Sequence, residues 1–218
     1  MAGQLVPHGF AARGNDLIFD RERGDVRQSI SLACLVRISH LAFAASAGVR
    51  FHRFEELVDK FDPPNSLATD EDRRSRSTLG KDLGSHSRGL WQKSWSIRDK
   101  EQVPNVADKI VTYLVKEAWP FFEIYSDMEQ AFAVLSKDDS DAKDLMTLDD
   151  VRAKNAIGLA FLLHGPERAQ EVAAKKLSWL RTRPHADAAG VEAWVQRLLR
   201  GVEPSEAEGG HTSIRRSD

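Results

Sequence analysis

The chain has 218 residues, of which 41% are hydrophobic and 29% are charged, the mixture of an ordinary globular protein. Thirty-one basic side chains nearly cancel thirty-three acidic ones, which leaves a formal net charge of -2. This balance excludes a whole-chain field that would attract nucleic acid or an anionic membrane surface, although a local basic patch stays open.

The sequence predicts a cytoplasmic protein. Residues 1–13 contain Pro7 and Gly9 and lack the apolar stretch of a secretory signal. No window approaches the roughly 18 consecutive apolar residues of a membrane span. Cys34 is the single cysteine, so the fold cannot depend on an internal disulfide. Because Cys34 lies in an alternating apolar run, we expect a buried, inert thiol.

The first third of the sequence predicts antiparallel strands. Six of the seven even positions between residues 26 and 38 are apolar, whereas the odd positions include arginine and serine. A period of two places successive side chains on opposite faces of a sheet. A second alternating run covers residues 41–51, with His40 at the turn between the runs. Residues 16–20 predict a further short strand and residues 21–25 a turn, and such short links favour antiparallel pairing.

The spacing of apolar residues changes after residue 51. Phe54, Leu57, Val58 and Phe61 share one face of a predicted short helix, which Pro63 and Pro64 stop. Residues 62–88 contain few large apolar side chains, so we expect a long mobile loop. Its local basic cluster, residues 73–76, is a candidate contact for a phosphate or an acidic partner. Residues 91–97 alternate again and predict a fourth strand, with Trp91 and Trp95 facing the core.

The rest of the chain predicts helices. Apolar residues at helical spacing cover residues 104–118, 126–135, 147–164, 166–180 and 187–200, with an aromatic joint at residues 119–122. Residues 126–129 and 147–150 have the form of N-terminal caps, and Gly165 and Gly201 lie where helices end. We therefore predict a single α+β domain over residues 1–201 and a disordered tail over residues 202–218. Its architecture is an antiparallel four-stranded sheet packed on one face by a C-terminal set of about five helices.

The sequence contains no motif of a catalytic, metal or cofactor site. It lacks a glycine-rich phosphate loop, a nucleophile elbow and a helical pair of histidines. The acidic run at residues 138–141 resembles part of a calcium loop but lacks the required glycine and glutamate, so we interpret it as a solvated loop. The acidic pairs at residues 55–56 and 149–150 lie near helix starts, where the dipole favours carboxylates. We predict no catalytic residue, no metal and no cofactor.

The candidate site is the polar face of the predicted sheet, where most side chains are short and two are arginines. They are Arg27, Ser29, Ser31, Ser46, Arg50, Gln92, Ser94 and Ser96. Short side chains permit close approach of another surface, so this face predicts a docking site for a partner protein. A cleft whose arginines hold a carboxylate or phosphate, or an ordinary solvated face, are the other interpretations.

Several short motifs follow one another in a characteristic order along the chain. Gly9-Phe10 and Arg13-Gly14-Asn15 precede the strands, Gly48-Val49 closes one of them, and the stretches 119–127 and 158–163 lie in the helical part. Over most of residues 5–183, this order resembles an uncharacterised bacterial α+β family, the domain-of-unknown-function family four-three-zero-four. Residues 62–88 and the helix after Pro184 depart from the family. The resemblance implies a small cytoplasmic bacterial protein with an immunity or other protein-binding role, and it transfers no catalytic residues.

The leading hypothesis is a non-enzymatic protein-interaction module, of which an immunity-type inhibitor is one form. The alternative is an enzyme or small-ligand-binding protein with a pocket between sheet and helices, lined by Trp91, Trp95 and Tyr125. Nucleic-acid binding ranks third because the charges are balanced.

Overall fold

Two long strands form the centre of the structure, a computed structural model that describes residues 2–14, 17–61, 76–83 and 93–201. Strand β3 (Val26–Val36) pairs with β4 (Leu41–Phe51) over eleven residues, from Val26 opposite Phe51 to Val36 opposite Leu41. Arg37 N donates to His40 O in the turn between them. β3 therefore ends at Val36 rather than at the predicted residue 38, because the turn begins there.

Four shorter strands complete the antiparallel sheet. The remaining strands are β1 (Ala11–Ala12), β2 (Ile18–Arg23), β5 (Leu79–Leu83) and β6 (Trp95–Ile97). The strand order is β1-β2-β3-β4-β5, and β6 pairs with β4 beside β5. The predicted antiparallel α+β class is confirmed, whereas the predicted count of four strands was too low for the described part of the chain.

The described residues also contain eight α-helices. They are α1 (Ala2–Leu5), α2 (His52–Phe61), α3 (Val103–Tyr125), α4 (Met128–Leu135), α5 (Ser140–Leu145), α6 (Asp149–His164), α7 (Pro166–Leu180) and α8 (Ala188–Arg200). Six of them follow the sheet, one more than the predicted set, because residues 140–145 form a short helix. No described helix has both the length and the apolar character needed to cross a bilayer.

One hydrophobic cluster connects the sheet to the helices. It contains Ile30 and Val49 from the central strands, Leu114 from α3 and Trp194 from α8, all fully buried. These strand residues occupy the face that the alternating pattern assigned to the core. Burial of this apolar area is the main term that stabilises the fold.

Strand β5 lies inside residues 62–88, the predicted mobile loop, so that prediction was wrong for residues 79–83. Residues 62–75 and 84–88 of the same prediction lie outside the described residues, as does the predicted tail. Leu79 and Leu83 are buried against the core, and β5 pairs with β4. Two apolar side chains in five residues form too weak a pattern to predict a strand from the sequence. Pairing with β4 and burial of these side chains stabilise the strand.

Helix α3 continues through the predicted aromatic joint, so the prediction of a break there was wrong. Pro120 lies inside the helix and leaves one backbone carbonyl without its helical donor. Phe121 and Phe122 on the following turn are buried, and Phe10 packs on Phe122 with ring centroids 5.9 Å apart. This aromatic packing offsets the lost hydrogen bond. Because it is a tertiary effect, it cannot be predicted from the proline and its sequence neighbours.

The helix ends follow the predicted signals in part. Gly165 and Gly201 end α6 and α8 with positive φ angles of 86° and 65°, as predicted. The cap of α4 is Asp127, whose Oδ1 accepts hydrogen bonds from two backbone N–H groups of the first turn. Ser126, the predicted cap, instead accepts a hydrogen bond from Gln28 Nε2. Helix α6 begins at Asp149 without a side-chain cap, so the predicted cap at Thr147 does not form.

Gly158 of α6 tests how tightly the helices pack. A Cβ at this position would lie 2.7 Å from Cε2 of Phe54 and 3.4 Å from Cη2 of Trp194. We expect Gly158→Ala to lower the free energy of unfolding by about 1–3 kcal/mol through overpacking, even though alanine favours helices. Chemical denaturation measures the change. Gly3→Ala is the control, because a Cβ there meets no described atom within 4 Å; equal or higher stability of Gly158→Ala would contradict the packing.

Candidate functional site

The polar face of the sheet forms the floor of an open groove of about 310 Å³, here named the serine groove. Ser31 and Ser46 lie directly opposite each other on β3 and β4 and supply hydroxyl groups to the floor. The wall towards β2 is formed by Arg13 and Ile18. The floor also contains Ser29 and Gly48, and the wall towards β5 and α5 is lined by Ser77, Gly80, Lys81, Asp82, Asp144 and Thr147.

The structure brings six of the eight predicted site residues onto this face. Arg27 lies opposite Arg50, Ser29 opposite Gly48 and Ser31 opposite Ser46. Ser96 pairs with Ala42 farther along the same face and, like Ser94, is exposed outside the groove. Gln92 lies outside the described residues. Alternation along the strands therefore predicted which side chains share the face, but only Ser29, Ser31 and Ser46 line the groove.

Arg50 is buried in a polar network rather than presented to solvent. Its side chain donates to Arg76 O and lies 3.5 Å from the carboxylate of Glu55. Thr78 Oγ1 donates to Glu55 Oε1 and accepts from Phe51 N, while Asn155 Nδ2 donates to Thr78 O. The residue is only 9% exposed. Arg50 therefore ties α2 and residues 76–78 to the sheet, a structural role that was not predicted, and its part in docking stays a prediction.

Residues 76–78 cross the sheet at Gly48. A Cβ at Gly48 would overlap the hydroxyl of Ser77 and lie 3.0 Å from its Cβ, so the Ser77 side chain occupies the space above Gly48. The crossing covers the part of the face next to Arg50 and leaves Ser31 and Ser46 half-exposed. It therefore sets one end of the serine groove.

The other arginines of the face interact with carboxylates of the same chain. Arg13 donates to Asp20 Oδ2 at 2.6 Å, and Ser29 donates to Asp20 Oδ1 at 2.7 Å. Burial lowers the pKa of Arg27, while the charge of Asp20 opposes this shift. Because these guanidinium groups already face carboxylates, the geometry favours docking by hydrogen bonds over capture of a free carboxylate or phosphate.

The groove offers both donors and acceptors. Hydroxyl groups of Ser31, Ser46 and Thr147 can donate and accept, and Asp82, which lies opposite Ser46 on the same face, adds a carboxylate to the wall near β5. Among the described residues, no group of three or more His, Cys, Asp or Glu side chains is arranged to hold a metal ion.

Among the described residues, two of the predicted pocket residues, Trp95 and Tyr125, line two separate clefts. Trp95 lines a cleft with Tyr113 of α3, whereas Tyr125 lines a separate cleft with Phe121 and Asp141. Trp91 lies outside the described residues. Trp95 and Tyr125 are far apart along the structure because α3 is continuous, and this continuity was not predicted.

Sequence reasoning missed a buried cluster of charges around Asp138. Lys176 of α7, which is 2% exposed, donates to Asp138 Oδ1 at 2.7 Å and to Lys137 O. Arg152 of α6 is fully buried and donates to Met146 O and to Asp149 Oδ1. Burial lowers the pKa of Lys176, and the hydrogen bond to Asp138 opposes the shift. Asp138 and Asp149 are therefore structural partners of buried cations, not the solvated loop and simple dipole contact that were predicted.

Cys34 is exposed, so the prediction of a buried thiol was wrong. The alternating pattern that suggested burial continues beyond the part of β3 that helices cover. Four large apolar side chains of the same hairpin end are also exposed: Leu35, Val36, Ile38 and Leu41. An exposed group of this kind was not predicted, since periodicity alone does not show where the covering layer ends.

Comparisons of the chain with protein-family models, with curated proteins and with solved structures find no match. The resemblance to the domain-of-unknown-function family four-three-zero-four stays a prediction.

The buried network around Glu55 predicts a pH dependence of stability. Burial raises the pKa of Glu55, opposed by the charge of Arg50 and the hydrogen bond from Thr78. The folded state thus binds this proton more tightly than the unfolded state, and the resulting stability is lost as pH rises through the folded pKa. We expect the unfolding free energy of wild type, relative to Glu55→Gln, to fall as pH rises above about 4, where the carboxyl group of the unfolded chain ionises.

Urea denaturation across this pH range measures the difference between the two proteins. Glu56→Gln is the matched control, because Glu56 is the exposed neighbour of Glu55. A wild-type advantage that stays constant from acid to neutral pH would contradict the raised pKa.

Removal of Asp138 tests the charge cluster. Asp138→Ala leaves the buried ammonium of Lys176 without its carboxylate, so we expect a loss of about 3 kcal/mol in the free energy of unfolding. Asp144→Ala is the control, since Asp144 is exposed at the end of α5, and we expect a change within about 0.5 kcal/mol. Denaturant titration of both variants measures these changes in the free energy of unfolding. An equally small loss in both variants would refute a structural role for Asp138.

Proposed function

We propose that this chain is a non-enzymatic protein-interaction module that binds a partner protein through the serine groove. The observation that carries the proposal is the pair of facing hydroxyls of Ser31 and Ser46 in an open groove bounded by side chains of both charges. An immunity-type inhibitor, the role that the family resemblance implies, is the specific form of this proposal.

The lining of the groove favours a polypeptide as its occupant. Pockets for small molecules are mostly apolar, with a few polar groups. The serine groove is lined mainly by hydroxyls and by the charged residues Arg13, Asp82 and Asp144. Such a surface can hydrogen-bond to backbone groups and polar side chains of a loop, as the polar parts of protein interfaces do.

The floor of the groove is held rigidly. Ser31 and Ser46 lie in the interior of the eleven-residue ladder between β3 and β4, so their backbone is fixed from both sides. A preorganised surface loses little conformational entropy on binding. Partner binding therefore requires no rearrangement of the sheet.

The alternative, a small-ligand-binding protein, is favoured by a different observation. The cleft beside β6 has a volume of about 730 Å³ and combines Trp95 and Tyr113 with Lys93, Lys109 and Lys116. Lys93 Nζ lies 3.9 Å from the centroid of the Tyr113 ring. Aromatic faces beside three ammonium groups suit an anionic ligand with a planar group.

Filling the groove separates the two proposals. Affinity capture from the native cell extract, with mass spectrometry, compares wild type with Ser46→Tyr, whose side chain would occupy the groove. We expect wild type to retain a stoichiometric protein partner and Ser46→Tyr to lose at least about nine-tenths of it, a penalty of about 1.4 kcal/mol. Ser178→Tyr is the matched control, because Ser178 is exposed on α7.

Two outcomes would refute the groove as the binding site. A partner retained by Ser46→Tyr would place the contact elsewhere on the surface. If no protein is captured, and a thermal-shift screen finds an anionic compound that stabilises wild type but not Lys93→Ala, the ligand-binding alternative replaces the interaction module.

A further inference from the structure

Strand β3 extends beyond the strand that pairs with its outer edge. Ile18, the first residue of β2, lies opposite Ser31, and Leu32 N donates to Leu17 O. Arg13 N donates to Ile18 O, so the chain turns back towards β1 at this point. Within the described part of the chain, residues 33–36 pair with β4 on one side and with no strand on the other.

The hydrogen-bonding groups at this edge can be assigned from the ladder. Because Leu32 N points towards β2, alternation directs the N–H and C=O groups of Cys34 and Val36 to the same, open side. The groups of Ala33 and Leu35 point towards β4. The edge therefore presents two donors and two acceptors in a regular strand geometry.

The side chains around the edge are apolar and exposed. Leu35 is 50% exposed and Val36 81%, and Cys34 and Ile38 are also exposed. Proteins usually protect an edge strand with charge, proline or a bulge, since an open apolar edge pairs with other strands. Residues 33–36 contain none of these charges or prolines.

We propose that residues 33–36 pair antiparallel with the same residues of a second copy of this chain, which forms a homodimer with one continuous sheet. A two-fold axis through Leu35 aligns Cys34 of each copy with Val36 of the other, so every outward N–H and C=O finds a partner. An axis through Cys34 would place Val36 opposite Leu32, which is already bound to Leu17, and an axis through Val36 would place Cys34 opposite Ile38, beyond the end of β3.

The side chains are complementary in the same register. Leu35 faces Leu35 of the second copy, and Cys34 faces Val36, so apolar groups meet apolar groups. Among residues 33–41, Arg37 is the single Lys, Arg, Asp or Glu, and in this register it lies opposite Ala33, which keeps the two guanidinium groups from facing each other. A charged edge would favour a partner of opposite charge. Because residues 33–36 carry no charge, the same edge of a second copy meets no electrostatic repulsion.

The contact is small, so the dimer is weak and depends on concentration. Four residues of each edge and a few apolar side chains bury less area than a stable dimer interface needs. This inference stands on the edge of β3 and does not depend on the proposed function, which uses the serine groove.

Charge substitutions at Leu35 test the pairing. Light scattering coupled to size-exclusion chromatography, over a concentration series of the full chain, should show a monomer–dimer equilibrium. We expect Leu35→Glu and Leu35→Lys each to raise the dimer dissociation constant by about tenfold or more, because like charges then meet on the axis. An equimolar mixture of the two variants should restore the dimer, since opposite charges face each other. Leu148→Glu, at another exposed leucine, should leave the equilibrium unchanged.

Cysteine pairing tests the register. Val36→Cys places its thiol opposite the native Cys34 of the second copy, at about 5.5 Å between Cα atoms, a separation that a disulfide can bridge. We expect this variant to form a covalent dimer under mild oxidation, whereas wild type does so much more slowly because its Cys34 residues are offset.

Either of two results would overturn the proposal. Wild type that stays monomeric up to about 1 mM would show that the edge does not pair with itself. A dimer that persists in Leu35→Glu, or no gain from mixing the two charge variants, would place the interface elsewhere. Neither result would affect capture of a partner by the serine groove, which Ser46→Tyr tests separately.

Discussion

The ladder between β3 and β4 is the constraint on which the rest of the structure depends. Its eleven residue pairs determine which side chains face the core, so Ile30 and Val49 are buried while Ser31 and Ser46 lie on the opposite face. A slip of one residue would exchange the two faces of a strand and remove both the core and the serine groove. Apolar burial on one face therefore fixes the positions of the hydroxyls on the other.

Buried polar groups then fix the helices and residues 76–78 relative to this ladder. Thr78 connects the backbone of Phe51, the carboxylate of Glu55 and the amide of Asn155, which joins the sheet to α2 and α6. Lys176 and Asp138 connect α7 to the segment before α5. A buried charge without its partner is strongly unfavourable, so these pairs disfavour alternative packings. This directional term complements the hydrophobic cluster, which is non-directional.

Features with a strong local period could be predicted from the sequence, and features that depend on distant packing could not. The alternation of β3 and β4 gave the antiparallel sheet and placed Arg27, Ser31 and Ser46 on one face. Strand β5 was not predicted because it contains only two buried apolar residues, Leu79 and Leu83. The predicted break at Pro120 was wrong because aromatic packing supports α3. The burial of Arg50 and the exposure of Cys34 depend on where other segments cover the sheet, which no local pattern contains.

The groove and the open edge belong to the same strand, and this has a geometric consequence. A two-fold axis between antiparallel strands is perpendicular to the sheet, so both copies in such a dimer present the same face on the same side. The dimer would then present its two serine grooves on the same side of the continuous sheet, separated by the paired edges. A partner with two matching loops would engage both, and the second contact would form at a high effective concentration. The weak self-association that the small edge permits would thus be strengthened by the partner, because binding that favours the paired state shifts the equilibrium towards it.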